Sequence, residues 1–192
     1  MLFCYTFLMS IEIIILLVVV VIVLWVIGAF NSLVSRKNRV AEAWSDIEVQ
    51  LKRRYDLIPN LIETVKGYAT HEKSILENVT KARTAAMSTE DPKAKLQAEN
   101  QLSQTLKSLF AVAENYPQLK ANENFGKLQD ELTDTEDKIQ AARRFYNGNV
   151  RDYNTAIEVF PKNIIAGAFG FKQKELFDVD NDAERQPVKV KF

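Results

Sequence analysis

The sequence predicts an all-α protein: an N-terminal transmembrane helix, then an elongated up-and-down (antiparallel) four-helix bundle, then an extended C-terminal tail. Three observations predict it. Residues 13–30 read IIILLVVVVIVLWVIGAF, an apolar run without a polar side chain. Beyond it, apolar residues return at steps of three and four, the period of a helix face. Only six glycines and five prolines occur in 192 residues, among abundant helix formers. The chain divides into a short segment 1–12, a membrane span 13–30, a bundle 31–160 and a tail 161–192.

The 18 residues of the run rise roughly 27 Å at ~1.5 Å each, close to a hydrocarbon core of ~30 Å. A buried core helix would show a polar face, and none is present. A cleaved signal would want basic residues before the run, yet the first cation is Arg36. A lipoprotein cysteine would follow the run, whereas Cys4 precedes it. The segment therefore reads as an uncleaved anchor. Arg36, Lys37 and Arg39 follow it closely, so the positive-inside rule puts the bundle in the cytoplasm and the N-terminus outside. Met9 is an alternative start, which would make residues 1–8 an upstream extension.

The bundle begins with a stripe at Val40, Trp44, Ile47 and Leu51. No proline separates it from Phe30, so the first helix is expected to continue from the anchor. Lys52, Arg53 and Arg54 interrupt the stripe, and Pro59 disfavours helical angles at Ile58. A break or sharp kink is expected there, with one continuous kinked helix as the alternative. A second stripe runs Ile58, Leu61, Val65, Tyr68, then Ile75, Val79, Ala82 and Ala86. Residues 88–92 form the clearest loop, with Asp91 as helix cap and Pro92 in the first turn. Leu96, Leu102, Leu106, Leu109 and Ala113 line the third helix, which Asn115-Tyr116-Pro117 ends or kinks. The longest pattern runs Phe125, Leu128, Leu132, Thr135, Ile139, Ala142, Tyr146, Asn149, Tyr153, Ala156 and Phe160. Thr135 and Asn149 are its polar members, and such residues on a seam fix register. After Pro161 the chain turns apolar and glycine-punctuated, then acidic from Asp178 to Glu184. Its apolar part should dock on the bundle, on a neighbouring subunit or at the membrane.

The chemistry is defined mainly by what is missing. One cysteine excludes a disulfide within the chain. One histidine, His71, excludes the paired Glu-x-x-His motifs of a di-iron bundle and leaves a His/Cys metal site short of ligands. No phosphate loop, dinucleotide fingerprint or nucleophile elbow is present. Glu131 and Asp134 read as a solvated pair on a charged face. Twenty-five basic residues balance 25 acidic ones, so net charge makes no case for nucleic acid. Three basic clusters remain: Arg36–Arg39, which should attract anionic lipid, Lys52–Arg54, read as a solvated helix end or intra-bundle pairing, and Arg143-Arg144. Tyr146-Asn147 recurs as Tyr153-Asn154, read as packing. No catalytic, cofactor-binding or metal-binding residue is assigned, and no cofactor is expected.

Asn38-Arg39-Val40, Ala43-Trp44-Ser45-Asp46-Ile47-Glu48 and the run on through Asn60-Leu61 resemble a signature of the bacterial LemA family. Ala121-Asn122-Glu123-Asn124-Phe125, Phe160-Pro161 and Ala168-Phe169-Gly170-Phe171 resemble its later signatures. The likeness covers nearly the whole chain after Met9. It implies a single-pass protein of the bacterial inner membrane with a long helical bundle, and it brings no catalytic residues. The resulting expectation is a non-enzymatic scaffold or interaction protein that forms a homo-oligomer, with the lipid bilayer and an unknown protein as partners. The alternative is a regulatory or sensory adaptor between membrane and cytoplasm.

Overall fold

A computed structural model describes residues 2–177, with side chains from residue 11 onward; the acidic stretch and the last residues lie outside the described residues. The described chain is all-helical. Its elements are α1 (Leu2–Lys66), α2 (Lys73–Ser88), α3 (Pro92–Ala113), α4 (Pro117–Lys120), α5 (Glu123–Glu158) and α6 (Lys162–Ala168).

The break expected near Pro59 does not form. Helix α1 runs on through it as one 65-residue helix. A proline inside a helix removes an N–H and orphans the carbonyl four residues before it. Here that carbonyl belongs to Tyr55, and Arg83 Nε of α2 donates to it at 2.8 Å. The ring itself faces solvent. The tertiary donor replaces the lost helical one, so the helix continues.

The apolar run keeps a helical conformation, and among the described residues little packs on it before its last turn, where Ala29 is buried and Phe30 meets other rings. Ile13 to Leu24 are each 46–63% exposed. The chain itself leaves this surface uncovered, although it is long and apolar enough to cross a membrane.

The chain forms two compact units, residues 1–42 with 148–174, and residues 43–147 with the segment from 175 on. The first unit buries Leu33, Val40, Val150, Tyr153, Ile157, Ile165 and Ala166. Short helix α6 contributes the last two. The tail expected to be extended thus begins with a short helix, and its part from residue 178 on lies outside the described residues. Apolar residues at 165–166 gain burial in helical form, while residues 171–177 lack regular structure.

The second unit buries Ile47, Leu51, Ile58, Leu61 and Val65 of α1, and Leu76, Val79, Ala82 and Ala86 of α2. From α3 it adds Leu96, Leu102, Leu106, Leu109 and Ala113, and from α5 Phe125, Leu132 and Ile139. Tyr68, expected on the stripe, is 40% exposed, because α1 has ended two residues earlier. The α5 stripe also drifts. Val150 and Ile157 are buried and Phe160 is 74% exposed, since a 3.6-residue turn slips against a seven-residue repeat.

The helix starts follow local chemistry. Asp91 caps α3 by accepting from Ala94 N at 2.9 Å, with Pro92 in the first turn. Asn122 caps α5, its Oδ1 accepting from Asn124 N at 2.9 Å and Phe125 N at 3.0 Å.

Candidate functional site

The residues able to do chemistry gather in two places. The first is a charged cluster inside the second unit. Arg54 is 1% exposed and Glu99 fully buried. Arg54 Nη2 pairs with Glu99 Oε2. Its Nη1 donates to Glu136 Oε2 at 2.6 Å and to Ser103 Oγ at 3.0 Å. Tyr55 OH donates to the other Glu99 oxygen. One guanidinium therefore joins α1, α3 and α5.

Burial, then the hydrogen bond to Glu99, push the Tyr55 phenol well above its ordinary range. Arg143 lies close to the same charges. Burial lowers its pKa, against the pull of Glu136. Its guanidinium covers the Phe177 ring at 5.0 Å.

Lys52–Arg54 thus divides by helix face. Lys52 is exposed and Arg53 half-exposed, 3.7 Å from Asp134 and 4.0 Å from Glu131. Arg54 goes inward. The Glu131/Asp134 pair is an ion-paired surface site, and the Asp134 pKa is lowered chiefly by its hydrogen bond to Lys138.

Glu99 escapes a reading that seeks only apolar stripes, yet it sits on one. Positions 96, 99, 102, 106 and 109 step by three and four. Arg54 likewise falls in the series 47, 51, 54, 58, 61. Opposite charges at seam positions of two helices were the available signal.

The second place is the face of α5 that carries the Tyr-Asn repeat. In the first unit Tyr153 OH donates to Lys172 O at 3.0 Å, and Asn154 pairs both ways with Lys174, Nδ2 to O at 2.9 Å and Oδ1 from N at 2.9 Å. In the second unit Tyr146 OH donates to Glu175 O at 3.0 Å, and Asn147 pairs both ways with Phe177, at 3.0 and 2.8 Å. Each tyrosine takes the carbonyl of one residue, and each asparagine takes both main-chain groups two residues on. The repeat, read from sequence as packing, is a main-chain clamp. Trp44 completes it, edge-on to Tyr146 and Phe177 at 5.4 and 5.3 Å.

The other singled-out residues are plainer. His71 is exposed in the turn after α1. Thr135 is fully buried, and its hydroxyl donates to Glu131 O of its own helix at 2.7 Å. Asn149 is half-buried. Among the described residues no group of His, Cys, Asp and Glu is placed to hold a metal ion.

These features define a class: a helical domain grown from one long apolar helix, with a buried arginine–glutamate pair and tyrosine–asparagine contacts to the main chain of its own tail. The chain belongs to the LemA family, whose sequence profile matches residues 43–192. It is 26% identical over 174 residues to the magnetosome protein MamQ 1 of Paramagnetospirillum magneticum, covering 77% of this chain and 64% of that protein. MamQ of Magnetospirillum gryphiswaldense is 25% identical over the same shares. Protein LemA of Metamycoplasma hominis is 26% identical over 163 residues, 84% of this chain and 74% of the relative. The chain spans about two thirds, 64%, of the length of the MamQ relatives.

Proposed function

We propose that this chain is a membrane-anchored, non-enzymatic scaffold that self-associates through its helices. In this reading the run 13–30 spans the bacterial inner membrane. α1, α2, α3 and α5 form an elongated up-and-down bundle on the cytoplasmic side. The observation that carries it is the uninterrupted α1, which passes from an uncovered apolar stretch into a packed core without a break. Such a helix ties whatever the bundle binds to the bilayer. Kinship with a family that includes magnetosome proteins fits a membrane-associated role.

The test is mass measurement of the detergent-solubilised chain, with crosslinking in cells. Oligomers in both support the scaffold. A strict monomer that recovers no partner would sink it. The clamp on residues 172–177 favours a second reading, an adaptor whose tail is released to a cytoplasmic partner. Removing residues 161–192 separates the two: an adaptor loses its partner with the bundle still folded, whereas a scaffold keeps its oligomers.

A further inference from the structure

Within the first unit, the end of the apolar run carries a second apolar surface. The Phe30 ring contacts Phe169 at 4.9 Å and Phe171 at 5.8 Å between centroids. Gly170 lies between these two at φ +69°, a conformation open to glycine. On the same stretch of chain Val159, Phe160, Ile164 and Phe169 are 52, 74, 63 and 59% exposed. Four large apolar side chains left bare on one short stretch need a cover. Phe30 links this surface to the uncovered apolar run, of which it is the last residue.

Beside this surface opens a cavity of about 690 Å³, floored by Phe30, Phe169 and Phe171 and rimmed by Lys37, Lys172 and Lys174, with no acidic residue in its lining. Its size suits a small polar head group. Of these lysines, Lys37 lies about two helical turns past the end of the apolar run, the level of lipid phosphates in the reading that the run spans the bilayer. Lys162 Nζ reaches back to Ser32 Oγ at 3.4 Å, so a further cation stands near the same turn of α1. Aromatic floor and cationic rim together describe an amphiphile with a negatively charged head.

We propose that this cavity binds the phosphate head of an anionic phospholipid, with its acyl chains lying against the exposed face of Ile164 and Phe169. The α6 region then sits in the bilayer interface, and the protein grips the membrane at two places. This rests on the reading that residues 13–30 span the bilayer.

The experiment uses the full chain in detergent, with lipid retention read by native mass spectrometry. Phosphatidylglycerol and phosphatidylcholine are compared, and inorganic phosphate is the competitor. Retention of phosphatidylglycerol over phosphatidylcholine supports the site, provided it weakens about fivefold for each lysine replaced in Lys37→Gln and in Lys37→Gln/Lys172→Gln/Lys174→Gln. The single variant alters one exposed side chain of α1 and keeps the test decisive if the triple variant melts early. Equal retention of the two lipids, or indifference to the lysines, overturns the proposal. Displacement of lipid by inorganic phosphate at equal concentration overturns it in favour of a free-phosphate site. Release from membranes by carbonate would overturn the anchor and the site together; firm membrane retention without lipid selectivity overturns the site alone.

Discussion

At the scale of single residues, the Arg54–Glu99 pair is the most consequential feature of the core. A buried charge is tolerable only beside its partner, so removing one partner costs about 3–5 kcal/mol, while replacing both by apolar residues is far milder. Arg54→Met and Glu99→Met should each lower the unfolding free energy obtained from urea titration by that order. The double variant should recover much of the loss, and strict additivity in the same unfolding experiment would refute the coupling. Tyr55 adds a pH signature. Its folded pKa is raised above the ordinary 10.0, so its contribution is complete below pH ~10 and is lost as pH rises above that. Tyr55→Phe should be less stable at neutral pH by about 1–3 kcal/mol, because one Glu99 oxygen loses its donor. It should also show a flatter decline in stability above pH ~10. An unchanged slope would mean that other tyrosines carry the alkaline loss. Both charged residues were legible as seam positions. What hid them was the habit of treating charge as surface, a habit that a tertiary partner overrides.

At the scale of elements, two local rules meet long-range partners. Pro59 alone predicts a broken helix, and that inference is sound for a helix in isolation. Its failure depends on Arg83, which lies in another helix and reaches the Tyr55 carbonyl. No spacing in the sequence joins 83 to 55. Arg83→Met should therefore destabilise by about 1–3 kcal/mol, the penalty of an unpaired buried carbonyl. In a Pro59→Ala background the helical N–H returns, and the same substitution should cost clearly less. Equal costs in the two backgrounds, measured by denaturant titration, would show that Arg83 acts by some other route. The tail clamp behaves similarly. The Tyr-Asn repeat is plain in the sequence, but its meaning needs the extended segment that lies against it. Because both asparagines read main-chain groups, side-chain changes at Lys172 and Lys174 should be tolerated. Asn147→Ala and Asn154→Ala, by contrast, should free residues 172–177. Hydrogen exchange of the Lys174 and Phe177 amides is the direct readout, since each donates to one of these asparagines. Protection that survives the substitutions would contradict the clamp.

At the scale of the whole molecule, the periodicity and composition carried the all-helical class, and the apolar run carried the one described helix long and apolar enough to cross a membrane. Four of the six helices among the described residues follow stripes that can be traced residue by residue. Helix α6 could not be traced, because seven residues with two buried members are too few to show a period. Orientation remains a matter of charge. The cations Arg36, Lys37 and Arg39 follow the apolar run 13–30, while residues 1–12 hold no lysine or arginine. Retaining such a cluster on the cytoplasmic side is the general rule for short flanks. The exposed Ser88, at the end of α2, offers a reporter remote in sequence from the span. In a Cys4→Ser background, Ser88→Cys should resist a membrane-impermeant maleimide in intact cells and react after permeabilisation. Replacing Arg36, Lys37 and Arg39 with glutamine should raise the fraction labelled from outside, because it removes the asymmetry that sets the insertion. Ready labelling of the unaltered flank in intact cells would invert the topology and place the lysine-rimmed cavity against the outer leaflet, so the same measurement also decides which lipids that cavity meets.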